Sequence, residues 1–291
     1  MKFMSSVFIL AVLATSFPQA HSAQSQTTPN PGPTPTLDST LPFQLRNGFL
    51  ITVEGRIGLL SRLHFILDTG ATQTVVDSKV AARLLLPLHK AKVLNFDHSV
   101  KVDSTTIPDL QLGSLTICNL PVIVGDLAQF SEFSSGIDGI IGCDVLRSTK
   151  SLLIDYRFNI LTLRYATNAL VAAEKSPQAL TVSLPVQGQH VRLVFDTGLQ
   201  GMLLYSDRLR SHVPQLRLSE KITNAHEGRL AGERAILPGI QFGRDELQVS
   251  VFLLEKAPSA FPEDIYGYVG ANLFQAQLLE LNLASSSLRW Q

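Results

Sequence analysis

Apolar residues in this chain fall in short runs between turn formers, the pattern of strands rather than of long helices. Leu50 to Val53, His64 to Leu67, Ser114 to Val124, Leu152 to Tyr156 and Ile160 to Arg164 are rich in β-branched and large apolar residues. One short helix is expected at Ser78 to Leu85 with Asp77 as its N-cap, and a shorter counterpart near Ser206 to Arg210. Upstream, Gln24 to Thr40 is rich in Pro, Thr, Ser and Gln and nearly lacks hydrophobes, so it reads as a flexible tether. Earlier still, Lys2 precedes the apolar run Val7 to Leu13, with small residues at Ala20, Ser22 and Ala23. That is the layout of a secretory signal peptide over residues 1–23, which places the mature chain outside the cytoplasm, secreted or periplasmic. The apolar core is shorter than the roughly 20 residues of a membrane span, so no stable span is expected after signal removal. An uncleaved anchor is the alternative.

The runs repeat in order. Phe65-Ile66-Leu67-Asp68-Thr69-Gly70 returns as Leu193-Val194-Phe195-Asp196-Thr197-Gly198, an offset of 128 positions. Ile140-Ile141-Gly142 returns as Tyr268-Val269-Gly270 at the same offset. Between them Ile107 to Gly113 matches Leu237 to Gly243 at 130, so small insertions cancel along the way. Ile154 to Leu163 ends the first half as Leu281 to Trp290 ends the second. These matches predict a duplicated, mainly β, bilobal molecule with pseudo-two-fold symmetry. Its lobes span 41–165 and 179–291, joined by a linker at 166–178 that holds Ala, Asn, Glu, Lys and Pro.

Composition narrows the chemistry mainly by exclusion. With 24 basic and 24 acidic residues the formal net charge is zero, and no basic stripe points to nucleic acid. The histidines are scattered without metal-ligand spacing, and no Gly-x-Ser-x-Gly elbow is present. No metal or cofactor is therefore expected. Cys118 and Cys143 are the only cysteines, and both lie in apolar, strand-like surroundings that predict two buried thiols.

The two Asp-Thr-Gly triplets carry the functional signal. One copy is expected by chance in about one chain of this length in 20, and an isolated copy is an ordinary turn. Two copies, each after three apolar residues and at equivalent points of a repeat, are different. A pseudo-two-fold fold brings equivalent positions together at its axis, so Asp68 and Asp196 are expected to face each other. Carboxylates about 3 Å apart share one proton, holding a general base and a general acid at once. Gly70 and Gly198 would let the two loops approach, and Thr69 and Thr197 would hold them together.

At these residues the chain resembles the aspartic peptidases, specifically the retropepsin-like branch, over about Leu45 to Gln291. The resemblance rests on Phe65 to Ala71 with Ile140-Ile141-Gly142 and on their second copies. It implies a fused single-chain form in which Asp68 and Asp196 are catalytic, supported by Thr69, Gly70, Ala71, Thr197 and Gly198. The implied activity is endopeptidase cleavage of peptides or unfolded proteins by a water activated between the carboxylates, with no metal and no covalent intermediate, in a monomer. It also implies β-hairpin flaps over the cleft, near Asn95 to Lys101 and Asn224 to Leu230. No Gly lies between Gly70 and Gly113, so the first flap is expected to be stiff or absent, with Phe96 either covering substrate or simply packed. Leu199 departs from the pattern, because relatives place a small or hydroxyl residue after the second triplet. It is expected to be absorbed by a local shift or to dehydrate Asp196. The rival readings are a catalytically silent peptide-binding protein and a structural envelope protein of the same fold. The segment Gln24 to Leu45 has no Lys or Arg to cover a carboxylate pair, which argues against an inhibitory prosegment.

Overall fold

The computed structural model describes residues 13–14, 36–94, 96, 99–128, 136–166, 179–212, 216–218, 223–227, 230–259, 261–283 and 285–291. The chain is mainly β, with strands gathered in a 13-stranded and a 7-stranded sheet. Most of the signal segment, residues 24–35 of the tether and residues 167–178 of the linker lie outside the described residues.

In the first lobe, Leu50–Ile57 and Leu60–Leu67 form a hairpin whose second strand leads into Asp68. Phe65, Ile66 and Leu67 run parallel to Gly139, Ile140 and Ile141. Gly139–Ile141 is antiparallel to Val75–Asp77, which in turn runs parallel to Leu115–Gly125. Ser99–Leu112 and His89–Leu94 complete the series. The second lobe follows the same order of partners. Thr181–Val186 and Gln189–Asp196 form the hairpin, and Val194, Phe195 and Asp196 run parallel to Tyr268, Val269 and Gly270. Met202–Tyr205, Asp245–Leu254, Leu230–Phe242 and Thr223–Glu227 follow.

The strand before each Asp is covered on both faces, which is why its last three residues are all apolar. Phe65, Ile66, Leu67, Leu193, Val194 and Phe195 are all buried. The lobes join through Ser151–Asp155, which pairs antiparallel with Leu278–Asn282. Ile160–Ala166 and Ser287–Trp290 flank that pair.

Three expectations change, and one left open between two alternatives is decided. Strand Thr36–Arg46 takes up the last part of the predicted tether, pairing with Ile160–Ala166 and Leu50–Ile57. It is held by backbone pairing, by Ser39, whose hydroxyl donates to Leu112 O, and by Leu41 and Phe43, which enter the core. The first helix, Ser78–Arg83, begins at the Asp77 cap as expected, but its counterpart Ser206–His212 is one residue longer, not shorter. Asp207 in its first turn favours that helix end. Cys118 is exposed and only Cys143 is buried, both as free thiols. Asn119 sits at φ 52°, which breaks the strand's alternation and turns Cys118 and Asn119 outward together before Leu120 returns to the core. Finally, the first hairpin is present: His89–Leu94 pairs with Ser99–Ser104 up to Leu94 opposite Ser99. The second hairpin pairs Thr223–Glu227 with Leu230–Arg234. Positions 95, 97, 98, 228 and 229 of the two tips lie outside the described residues. Among the described residues, no helix is long and apolar enough to cross a membrane.

Candidate active site

Each half delivers an Asp from the end of a buried strand into a tight loop, and the two loops meet. The hydroxyl of Thr69 accepts the N–H of Thr197 at 3.1 Å and donates to Phe195 O at 2.8 Å. Thr197 reciprocates, accepting the N–H of Thr69 at 3.1 Å and donating to Leu67 O at 2.7 Å. Four buried hydrogen bonds thus tie each loop to the strand that carries the other Asp. Threonine suits the position because one hydroxyl both donates and accepts.

The glycines are required by the approach of the carboxylates. A Cβ on Gly198 would lie 2.8 Å from Asp68 Oδ2, and one on Gly70 would collide still harder with Asp196 Oδ2. Each Asp turns its other oxygen back into its own loop. Asp68 Oδ1 accepts the N–H groups of Gly70 at 2.8 Å and Ala71 at 3.1 Å. Asp196 Oδ1 accepts the N–H of Gly198 at 2.7 Å, and the Leu199 N–H also bonds this carboxylate. The two carboxyl groups hydrogen-bond each other.

Both aspartates are buried, and burial pushes both carboxyls upward. Asp68 is held well above the usual carboxylate range by loss of solvent and then by the neighbouring Asp196 charge. Asp196 is pushed up to about 6 by burial, restrained by hydrogen bonds from Asp68 and the loop N–H groups. Two like charges in a dry site cannot both ionise cheaply, so the pair holds one proton between them over a wide range.

Further residues brace the loops. Asp144 accepts the Thr74 N–H at 2.9 Å and its hydroxyl at 2.7 Å, and Thr74 Oγ1 in turn accepts the Gly142 N–H. In the second lobe Asn272 Oδ1 accepts the Gly201 N–H at 3.0 Å. The sequence reading missed this pair, although each follows its repeated glycine by two positions and a longer repeat alignment finds it. Cys143 also lies beneath the first loop: its N–H donates to Ala71 O and its thiol to Thr69 O, and burial pushes that thiol up to about 12. Leu199 is buried. Its side chain lies among Val194, Leu203 and Tyr268, while its N–H keeps the bond to Asp196.

Residues 51–145 match the family model described as aspartyl protease. The matched segment contains Asp68 and the Ile140-Ile141-Gly142 strand, and ends before the second half. No curated protein matches the chain. Among solved structures, a retropepsin-like aspartic protease from Rickettsia conorii is similar at 18% identity, covering 46% of this chain and 94% of that chain with a TM-score of 0.34.

Proposed function

We propose that the chain is an aspartic endopeptidase of the retropepsin-like kind in a duplicated, single-chain form. The carrying observation is the buried pair Asp68 and Asp196, hydrogen-bonded to each other across two loops that the Thr69 and Thr197 hydroxyls lock together. In this reading the ionised member takes a proton from a water as it attacks a peptide carbonyl. The protonated member donates to the carbonyl oxygen and stabilises the tetrahedral species. The proton then resides on the pair until the leaving amine takes one up. The substrate is an extended peptide or unfolded protein segment lying under the two hairpins. The signal reading of residues 1–23 supports a secreted or periplasmic location, and the presence of both Asp-Thr-Gly copies on one chain supports a monomer.

The test uses the chain cut near Ala23 against a mixed peptide library from about pH 3 to 7. Asp68→Asn and Asp196→Asn run in parallel, with a statine-type transition-state mimic as inhibitor. Cleavage that either substitution abolishes and the mimic blocks is the expected result. Folded protein that binds the mimic but cuts nothing would replace the peptidase with a peptide-binding module.

A further inference from the structure

Phe96 belongs to the first-lobe hairpin, yet its ring lies in the second lobe. It is 1% exposed and clusters with Leu199, Leu203, Tyr205, Phe261 and Tyr268. Its ring meets Tyr268 edge-on, with centroids 5.1 Å apart at 69°. Its backbone carbonyl accepts a hydrogen bond from Tyr205 Oη at 2.9 Å. Phe261 closes the box, 5.2 Å from Tyr205 and 5.6 Å from Tyr268.

The box adjoins the dyad. Leu199 bonds Asp196 through its N–H, and the Tyr268 hydroxyl is within electrostatic reach of both aspartates. That hydroxyl is buried and lacks a full hydrogen bond, with the Tyr205 hydroxyl as its weakly placed polar neighbour. An unmet buried donor is costly, so this atom is poised for a partner the resting chain does not supply. The first lobe has no equivalent box, because Asp77 and Ile140 stand where Tyr205 and Tyr268 stand in the second.

We infer that Phe96 is a resident occupant of a specificity pocket: its ring and carbonyl stand in for an aromatic residue of the substrate, which enters once Phe96 leaves. The inference rests on the peptidase reading and adds the substrate class, peptides with an aromatic side chain at this position. The ring in an aromatic box and the carbonyl on Tyr205 are together what one extended aromatic residue offers. Substrate therefore competes with the chain's own side chain, and apparent affinity falls by the fraction of time the pocket is filled.

Two statine-containing peptides, differing only in a Phe or an Ala beside the statine, test this by calorimetric titration of the chain cut near Ala23. Wild-type protein should bind the Phe peptide more tightly. Phe96→Ala should strengthen Phe-peptide binding about tenfold, as expected if the pocket is filled about nine-tenths of the time, and leave the Ala peptide within about twofold. Phe96→Leu, which keeps a branched apolar side chain and guards against misfolding, should give a smaller gain of the same sign. The proposal is overturned if folded variants bind the Phe peptide no tighter, or if both peptides gain equally. Turnover of the peptide library separates the two readings. Selective Phe binding without cleavage removes the peptidase and keeps the pocket, whereas cleavage without aromatic preference removes only the pocket.

Discussion

The two lobes are mirror-like at the charged centre and unlike one step away from it. At the centre the Thr69 and Thr197 hydroxyls each make the same two hydrogen bonds to the opposite loop and strand. One step out, the first lobe presents Ile66, Ala71, Val75, Ile123 and Ile140, and the second presents Val194, Leu199, Leu203, Phe252 and Tyr268 at equivalent rungs. Val75 pairs with Ile123 as Leu203 pairs with Phe252, so the frame is the same and only the side chains differ. The lesson concerns which constraint acts where. Two carboxylates that share a proton need matched loops, whereas the flanking walls need only fill space and meet whatever lies in the cleft.

Breaking the symmetric centre should have the largest effect. Gly70→Ala and Gly198→Ala each drive a methyl group into the opposite carboxylate, and the collision is harder at Gly70. Displacing a reacting group by about 1 Å costs on the order of 100-fold in rate, so both variants should lose at least that in kcat/KM, Gly70→Ala more. Equal activity in folded wild type and Gly70→Ala would show that the two loops are free to separate. Next in size is the asymmetric wall. Leu199→Ala should leave a cavity in the aromatic cluster and lower unfolding stability by about 2–5 kcal/mol, measured with denaturant. The first lobe already has the small residue at this rung, so no comparable truncation exists at Ala71.

The pH dependence sharpens the comparison further. Both dyad carboxyls are raised in the folded chain, so folding binds protons more tightly than the unfolded chain does. The stability they contribute is therefore full below the ordinary carboxylate range and is lost as pH rises through about 6, where Asp196 ionises. Asp196→Asn should consequently unfold at a higher temperature than wild type at pH 7, with the gap closing toward pH 4. In the proposed peptidase, activity runs the other way: the reading needs one ionised carboxylate, so the acid limb of kcat/KM should fall near pH 6. The expected optimum therefore lies above that of a less buried pair.

Much of this frame was legible in the sequence because it is encoded locally and twice. Three apolar residues before each Asp, a Gly two positions after it, and a second strand at a fixed offset are short-range signals that no tertiary context needed to supply. What escaped reading depends on partners distant in the chain. Thr36 to Thr40 looks like a tether because its apolar content is low, but Ile160–Ala166 offers it an open strand edge. Cys118 looks buried until the left-handed Asn119 reverses the alternation. Phe96 is a lone aromatic in a hairpin, and nothing near it in sequence shows that Tyr205 and Tyr268 receive it. Asp144 was readable in principle, since Asn272 holds the matching place.

That last pair supplies the smallest effect and the finest test of how far the lobes are interchangeable. Asp144 is buried, accepts from Thr74 and Val145, and is pushed up to about 6 by burial. Asn272 is exposed and accepts a single N–H. Asn272→Asp keeps the acceptor and places the new charge in water, so stability should stay within about 0.5 kcal/mol of wild type. Asp144→Asn gives up an acceptor, a loss of about 1 kcal/mol, but also removes a charge that is costly to bury above pH 6. The two terms oppose each other at pH 7 and only the first remains at pH 4. Thermal unfolding should therefore find Asp144→Asn near wild type at neutral pH and clearly weaker in acid. A uniform loss at both pH values would mean that Asp144 serves by its hydrogen bonds alone, as Asn272 does in the other lobe.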